Sequence, residues 1–462
     1  MSWWNNTRPA APAGVRRLRC HNWRCVARRG SSARPGHAGR LQNALAMLCA
    51  LALSACQSDQ EEKTVIKFWA MGAEGEYVQQ LLPEFHRRHP GVAVKIQSIP
   101  WTAAHEKLLT AYAGNSLPDM CQLGNTWIPE FVLLQALENL QPWIDSSRVI
   151  QPRNYFPGIW DTNVLQGAVF GIPWYVDTRV LFYRKDILQQ AGWEQAPRTW
   201  QEWLEVSRRI KQLPGGENKY ALLLPTNEWA PFVITGLQAG SRLLRDDNRY
   251  GDFSNPAFTR AFEFLMQFYR EKLAPVGITQ VTNIYQGMAE GFFAMYLTGP
   301  WNIGEFRKRL PADLQDDWMT APLPGPEEHT PGVSLAGGSS LVMFKRSPHK
   351  PEVWKLIAYL SEPRQQLAFY RITGDLPAVR AAWQDTSLTN NRHVQAFYRQ
   401  LEHVVPTPKI PEWEQIAMKV QQYAEIGSLQ RRPVAEVLAA LDREVDLILE
   451  KRRWLLEVRS HD

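Results

Sequence analysis

Cysteine is nearly missing from most of this chain. Of five cysteines in 462 residues, Cys20, Cys25, Cys49 and Cys56 lie in the first 56 positions, which leaves only Cys121 beyond them. No intramolecular disulfide and no cysteine metal cluster can form in residues 57–462. Acid is missing from residues 1–55, which also lack lysine yet hold nine arginines. The formal charge of +6 belongs to that segment: taking its nine from 52 basic side chains leaves 43 against 46 acidic ones, about −3. Nothing in that balance calls for nucleic acid. Long apolar runs are missing as well. The run at 41–53 falls short of the ~20 residues that a membrane-spanning helix needs.

That short run follows Arg40 and ends at Leu53-Ser54-Ala55-Cys56. It resembles a lipobox, a secretory apolar segment closed by small residues before a cysteine that is lipidated and becomes the new N-terminus. Residues 1–55 are therefore expected to be a basic leader with a lipoprotein signal peptide, and 56–63 a tether. The expected location is the periplasm or the outer face of the cell membrane, with lipidated Cys56 as the anchor. Residues 57–462 contain no G-x-S-x-G, G-x-x-x-x-G-K-[ST] or H-E-x-x-H. The ten histidines are scattered, and His86 and His89 flank Arg87 and Arg88 on what reads as a solvated helix face. Neither a metal nor a cofactor is expected.

What is abundant is tryptophan, 19 in all, and proline, 32. Apolar alternation predicts strands at 64–68 and 92–96, a helix from Glu76 to about His89 with Tyr77, Val78, Leu81, Leu82 and Phe85 inward, and a helix carrying Leu108, Leu109 and Tyr112. Strand, loop and helix repeat in the rhythm of a parallel sheet flanked by helices. In such sheets ligands gather beyond the carboxyl ends of the strands, where the loops 72–76 and 124–127 fall. Thr199 with Glu202 has capping-box spacing, and Asn255-Pro256 opens a second helix. The carboxyl end reads as one helix from Val434 to about Glu457.

The stretch 171–186, G-I-P-W-Y-V-D-T-R-V-L-F-Y-R-K-D, is the organising element. Two apolar strands flank Trp174, Tyr175, Asp177, Thr178 and Arg179. Two rings and a charge pair are poor material for a tight turn and good lining for a cleft.

Taken with Phe68-Trp69, Gly75-Glu76, Ile99-Pro100-Trp101, Leu117-Pro118-Asp119, Gly124-Asn125-Thr126-Trp127 and Gly299-Pro300-Trp301, this stretch resembles the family 1 extracellular solute-binding proteins of bacterial ABC importers, in particular the branch for maltose, trehalose and similar sugars. The resemblance covers most of residues 64–305. It implies an α/β, two-lobed periplasmic-binding-protein-like fold, each lobe a mostly parallel sheet flanked by helices and joined by crossing hinge segments. Lobe 1 would take 57–175 and 325–375, and lobe 2 would take 176–324 and 376–462. It further implies a monomeric, non-enzymatic carbohydrate-binding subunit that closes on a mono-, di- or oligosaccharide and delivers it to permease subunits. Trp301, Trp229 and Tyr175 are the stacking candidates. Asp177, Asn125 and Thr126 would meet hydroxyls, together with Glu74 or Glu76, between which spacing does not choose. Gly337 and Gly338 would admit a close backbone approach to the sugar. Arg371 or Arg380 would reach the cleft from the last crossing. Two alternatives stay open: a glycoside-active enzyme using Glu74 with Glu76 or Asp177 with Glu228, and a binding protein for a polyamine, peptide or anion.

Overall fold

The computed structural model describes residues 63–276, 283–330 and 332–459. The leader, Cys56 and all of the tether but Lys63 lie outside the described residues. Within them, apolar strands build two large sheets beside three two-stranded ones. The first runs in the order Leu376–Pro377, Ile172–Asp177, Gly337–Met343, Met120–Gly124, Thr64–Met71, Val92–Ile99. The second runs Trp318–Ala321, Val180–Arg184, Phe293–Thr298, Tyr220–Leu223. Strand Thr64–Met71 pairs parallel with both Val92–Ile99 and Met120–Gly124. Gly337–Met343 runs antiparallel to both of its neighbours. In the second sheet only Phe293–Thr298 with Tyr220–Leu223 is parallel. The sheets are thus mixed rather than mostly parallel. Each takes in strands that arrive straight from the other sheet, and such arrivals need no crossover helix to fix their direction.

Both faces of each sheet are covered, as the two-residue period requires. Ile66, Phe68 and Ala70 enter one core while Met71 enters another on the opposite face. Val180 and Phe182 share the first of these cores, and Leu181 turns to a third with Trp203, Phe262, Trp413 and Leu441. Phe182 lies parallel to Trp318 at 6.0 Å.

Local signals hold with two adjustments. Thr199 Oγ1 accepts from Glu202 N at 3.1 Å, while the Glu202 carboxylate reaches past the cap to Arg198 N at 2.7 Å. Asn255 Oδ1 accepts from Phe258 N at 2.9 Å to open Pro256–Arg270. The expected 76–89 helix is in fact Glu74–Tyr77, a 3-10 turn Val78–Leu81 and Leu82–Arg88. Pro83 sits in the first turn of the last piece, where its missing N–H costs no bond. The tighter turn rotates Tyr77 outward, so it is 39% exposed instead of inward. The carboxyl-terminal helix is two, Val434–Ile448 and Glu450–Arg459, and Val437, Leu438, Leu441 and Val445 form the buried stripe of the first.

The sheet-to-sheet link positions everything that follows. Ile172–Asp177 belongs wholly to the first sheet and Val180–Arg184 wholly to the second, so Thr178 and Arg179 alone make the crossing.

Candidate ligand-binding cleft

The crossing is clamped from the side. Ser334 Oγ accepts from Arg179 N at 3.1 Å and donates to Arg179 O at 2.9 Å, which ties this crossing to the one that precedes Gly337. With its backbone held, the Arg179 side chain turns back. Its Nη1 donates to Asp177 Oδ1 at 2.8 Å, and its guanidinium lies 4.5 Å above the ring of Trp301. Trp301 opens the helix Trp301–Arg309 and is 46% exposed. Glu228 belongs to the same group. Burial pushes its carboxyl up from the usual range, the Arg179 charge pulls it down and the Asp177 charge pushes it up again. The Asp177 carboxyl is also pushed up by burial, against the pull of Arg179. Tyr296 on the second sheet has its hydroxyl pushed up to about 12 by burial and by the nearby Glu228 charge.

Two residues back along the strand, Tyr175 is buried. Its hydroxyl donates to Glu74 Oε1 at 3.0 Å and accepts from Gln122 Nε2 and Ser339 Oγ, both at 3.1 Å. Asp375 closes the group. Burial, then the negative charges of Glu74 and Asp177, push its carboxyl from 3.8 to about 7. Trp174 points to the other side and stacks on Phe369 at 4.4 Å as core. The structure therefore gathers Glu74, Tyr175, Asp177, Arg179, Glu228, Trp301 and Asp375 around one crossing. A ring face, several carboxylates and a guanidinium can offer apolar contact and hydroxyl-directed hydrogen bonds together. Three polar atoms here, Arg179 Nε, Thr178 Oγ1 and Asn125 Nδ2, are buried without a partner among the described residues.

The remaining expected residues are placed as follows. Glu76 is exposed, whereas Glu74 is bonded to Tyr175. Asn125 is buried and accepts from Ser340 Oγ at 3.0 Å, and Thr126 beside it is half-buried. Trp229 is half-buried, next to Glu228 in sequence and edge-on to Trp413 at 5.7 Å. Gly337 and Gly338 pair with Asp177 and Val176 of the first sheet. A Cβ on Gly338 would sit 2.3 Å from Tyr175 O, so the neighbouring strand itself requires its hydrogen. Arg371 is placed away from the expected role: it pairs with Asp385 at 3.1 Å, 56% exposed. Arg380 pairs with Glu402 and lies over Phe156. The residue that sequence reasoning left out of the site is Asp375, and Glu228 entered it only in the enzyme alternative. A carboxylate held between Gly374 and Leu376 was the available signal.

Comparison with known proteins places the chain in a family. The chain matches the model of the bacterial extracellular solute-binding protein family over residues 70–367. It is 26% identical over 396 residues to the maltodextrin-binding protein MdxE of Bacillus subtilis, covering 80% of this chain and 88% of that one. It is 23% identical over 387 residues to the galactooligosaccharide-binding protein of the same organism, again covering 80% and 88%. Among solved structures, the sugar-binding protein MalE of Xanthomonas citri superposes with a TM-score of 0.82 at 47% identity, covering 85% of this chain and 99% of that one. That superposition shows a shared fold.

Proposed function

The chain belongs to the bacterial extracellular solute-binding proteins, a family of binding proteins and not of enzymes, and from that premise we propose that it is the sugar-capturing subunit of an ABC importer. The ligand is a carbohydrate, a disaccharide such as trehalose or maltose or a longer relative. It lies between lobes that meet at Thr178 and Arg179, a reading supported by the strand that ends at Asp177 and the next that starts at Val180. What carries the reading is the exposed Trp301 ring beside Asp177 and Arg179, with the Glu74–Tyr175 pair on the same strand edge. A pyranose shows apolar C–H faces to the first and hydroxyls to the others. The names of the relatives support the same class. Binding favours the closed state through its differential affinity for it, and the permease reads that state. We further propose anchoring through lipidated Cys56 and action as a monomer.

One observation favours a second reading. Asp177 and Glu228 feel the charge of Arg179, whereas Asp375 feels the negative charges of Glu74 and Asp177, and that gathering of acid would suit a cationic solute such as a polyamine. Calorimetry with maltose, trehalose and spermidine on residues 57–462 separates the two. Heat and a concentration-dependent rise in melting temperature with a sugar, lost in Trp301→Ala and Asp177→Ala, support the carbohydrate reading. Heat with spermidine alone would overturn it.

A further inference from the structure

The wall of the cleft does not stop at Glu74. Gly72 ends the first strand with φ +54°, and a Cβ there would lie 2.9 Å from Glu74 Oε2 and 2.9 Å from Trp101 Cδ1. The Glu74 carboxylate and the Trp101 indole therefore meet over the same glycine. Trp101 is the first residue of the helix Trp101–Ala113 and is 36% exposed. Trp127 stands edge-on to it at 5.7 Å, and the ring of His105 lies 5.0 Å from Trp127. His105 is itself fixed, its Nε2 within 2.6 Å of Glu130 Oε2. The bond to Glu130, then the charges of Glu130 and Glu414, hold its pKa up against burial. Glu414 lies in the first turn of the helix Trp413–Ser428, which packs against the Asn125–Trp127 turn and carries the Trp413 that Trp229 abuts. This shelf is therefore overlooked by the second lobe, as the crossing is.

Trp127 has a structural role, since it packs on the core that contains Ile99, Leu108 and Phe131. Trp101 does not join that core. It stands in front of Trp127, its orientation set by Trp127 and Gly72, beside a carboxylate already tied to Tyr175. From Trp301 through Arg179, Asp177, Tyr175 and Glu74 to Trp101, the same wall thus carries an exposed indole at each end of a polar middle.

We infer that Trp101, braced by Trp127 and flanked by Glu74, is a further ring-binding position of this cleft, and that the solute is an oligosaccharide long enough to reach both Trp301 and Trp101. The inference rests on the sugar reading above, with Trp301 serving one end of the chain and Trp101 the other. An indole beside a carboxylate offers an additional unit the same apolar face and hydroxyl acceptor that the crossing offers the first.

Calorimetry on residues 57–462 tests it with two series, maltose to maltotetraose and galactobiose to galactotetraose, on the wild type, Trp101→Ala, Trp101→Phe and Trp301→Ala. In the series that binds, the trimer and tetramer should bind more tightly than the dimer. Trp101→Ala should weaken them about tenfold, equivalent to about 1.4 kcal/mol, while changing the dimer by less than about twofold. Trp101→Phe should restore most of the loss, and Trp301→Ala should weaken all lengths. Thermal melts report whether each variant is folded. Equal affinity for dimer and tetramer in the wild type, or an equal effect of Trp101→Ala on both, would overturn the inference and leave the sugar reading standing. No heat with any member of either series in the wild type would remove both.

Discussion

Tyr175 and Asp177 lie two residues apart on one strand and face the same side, yet their surroundings differ in kind. The Tyr175 hydroxyl uses its one donor on Glu74 and accepts from Gln122 and Ser339. That hydroxyl is saturated, so the pair can meet a ligand only through the Glu74 carboxylate. Among the described residues the Asp177 carboxylate bonds only Arg179, whose Nε has no partner there and whose plane rests on an exposed indole. That end of the strand keeps hydrogen-bonding capacity in reserve. The contrast separates a part of the cleft built to hold shape from a part built to exchange partners. The price of the reserve is paid in solvation, since Asp177 and Glu228 are both carboxyls that burial pushes up.

The largest effect should come from breaking the fixed part. Gly338 has φ +124°, and the atoms a Cβ would strike, Tyr175 O at 2.3 Å and Val176 Cα at 3.0 Å, are backbone that cannot swing away. Gly338→Ala should cost about 3 kcal/mol or more, backbone strain and overpacking each contributing ~1–3. Gly304, in the helix that Trp301 opens, meets nothing within 4 Å. Gly304→Ala should instead be neutral or stabilise by up to about 1 kcal/mol. Urea titration of both variants checks this. A loss below about 1 kcal/mol for Gly338→Ala would mean that the two strands can part, and the fixed half of the comparison would fail.

The exchanging part should yield less, and in a pH-dependent way. Arg179→Ala removes the cation shared by Asp177 and Glu228 and should cost about 2 kcal/mol at pH 7.5. That is less than the ~3–5 of a fully buried pair, because solvent reaches both partners. Without Arg179 both carboxyls rise further above their unfolded values. The cost is then present at neutral pH and shrinks as pH falls and they take up protons. The check is denaturant unfolding at pH 7.5 and pH 5. A loss that does not diminish at pH 5 would show that Arg179 acts through packing on Trp301 and not through charge.

How much of this could be read in the chain follows the range of each signal. Strands and caps are local, so Thr199, Asn255 and the 171–186 stretch announce themselves by period and spacing. The choice between Glu74 and Glu76 is not local. It depends on Tyr175, 101 residues away, and on a helix that begins at Glu74, earlier than its apolar pattern suggests. Gly337 and Gly338 were legible as special but not as to their cause, because the atom they avoid belongs to another strand. Arg371 is one of many arginines, and only the fold puts Asp385 beside it. Trp101 was visible in Ile99-Pro100-Trp101, but its use depends on Gly72 and Glu74 meeting it from beyond the end of Thr64–Met71.

Asp375 tests which half of the comparison a neighbour of both belongs to. It follows Gly374 and precedes the short strand Leu376–Pro377, which pairs with Val176 and Tyr175 on the fixed side. Its carboxyl nonetheless feels Glu74 and Asp177 together, one from each half. Burial and those charges raise it from 3.8 to about 7, so the folded state holds a proton that the unfolded chain gives up. Stability should therefore decline as pH rises through the interval between those two values and level off above it. Asp375→Asn keeps the shape of the protonated form and cannot ionise. Its advantage over the wild type should open near pH 4, grow until about pH 7 and then hold at about 1–3 °C in melting temperature. Melts from pH 4 to pH 8 check the sign. In the Asp177→Asn background the advantage should shrink if the exchanging half contributes to the shift. An unchanged advantage would assign Asp375 to Glu74 and the fixed half, because a residue that no longer senses Asp177 cannot couple the two.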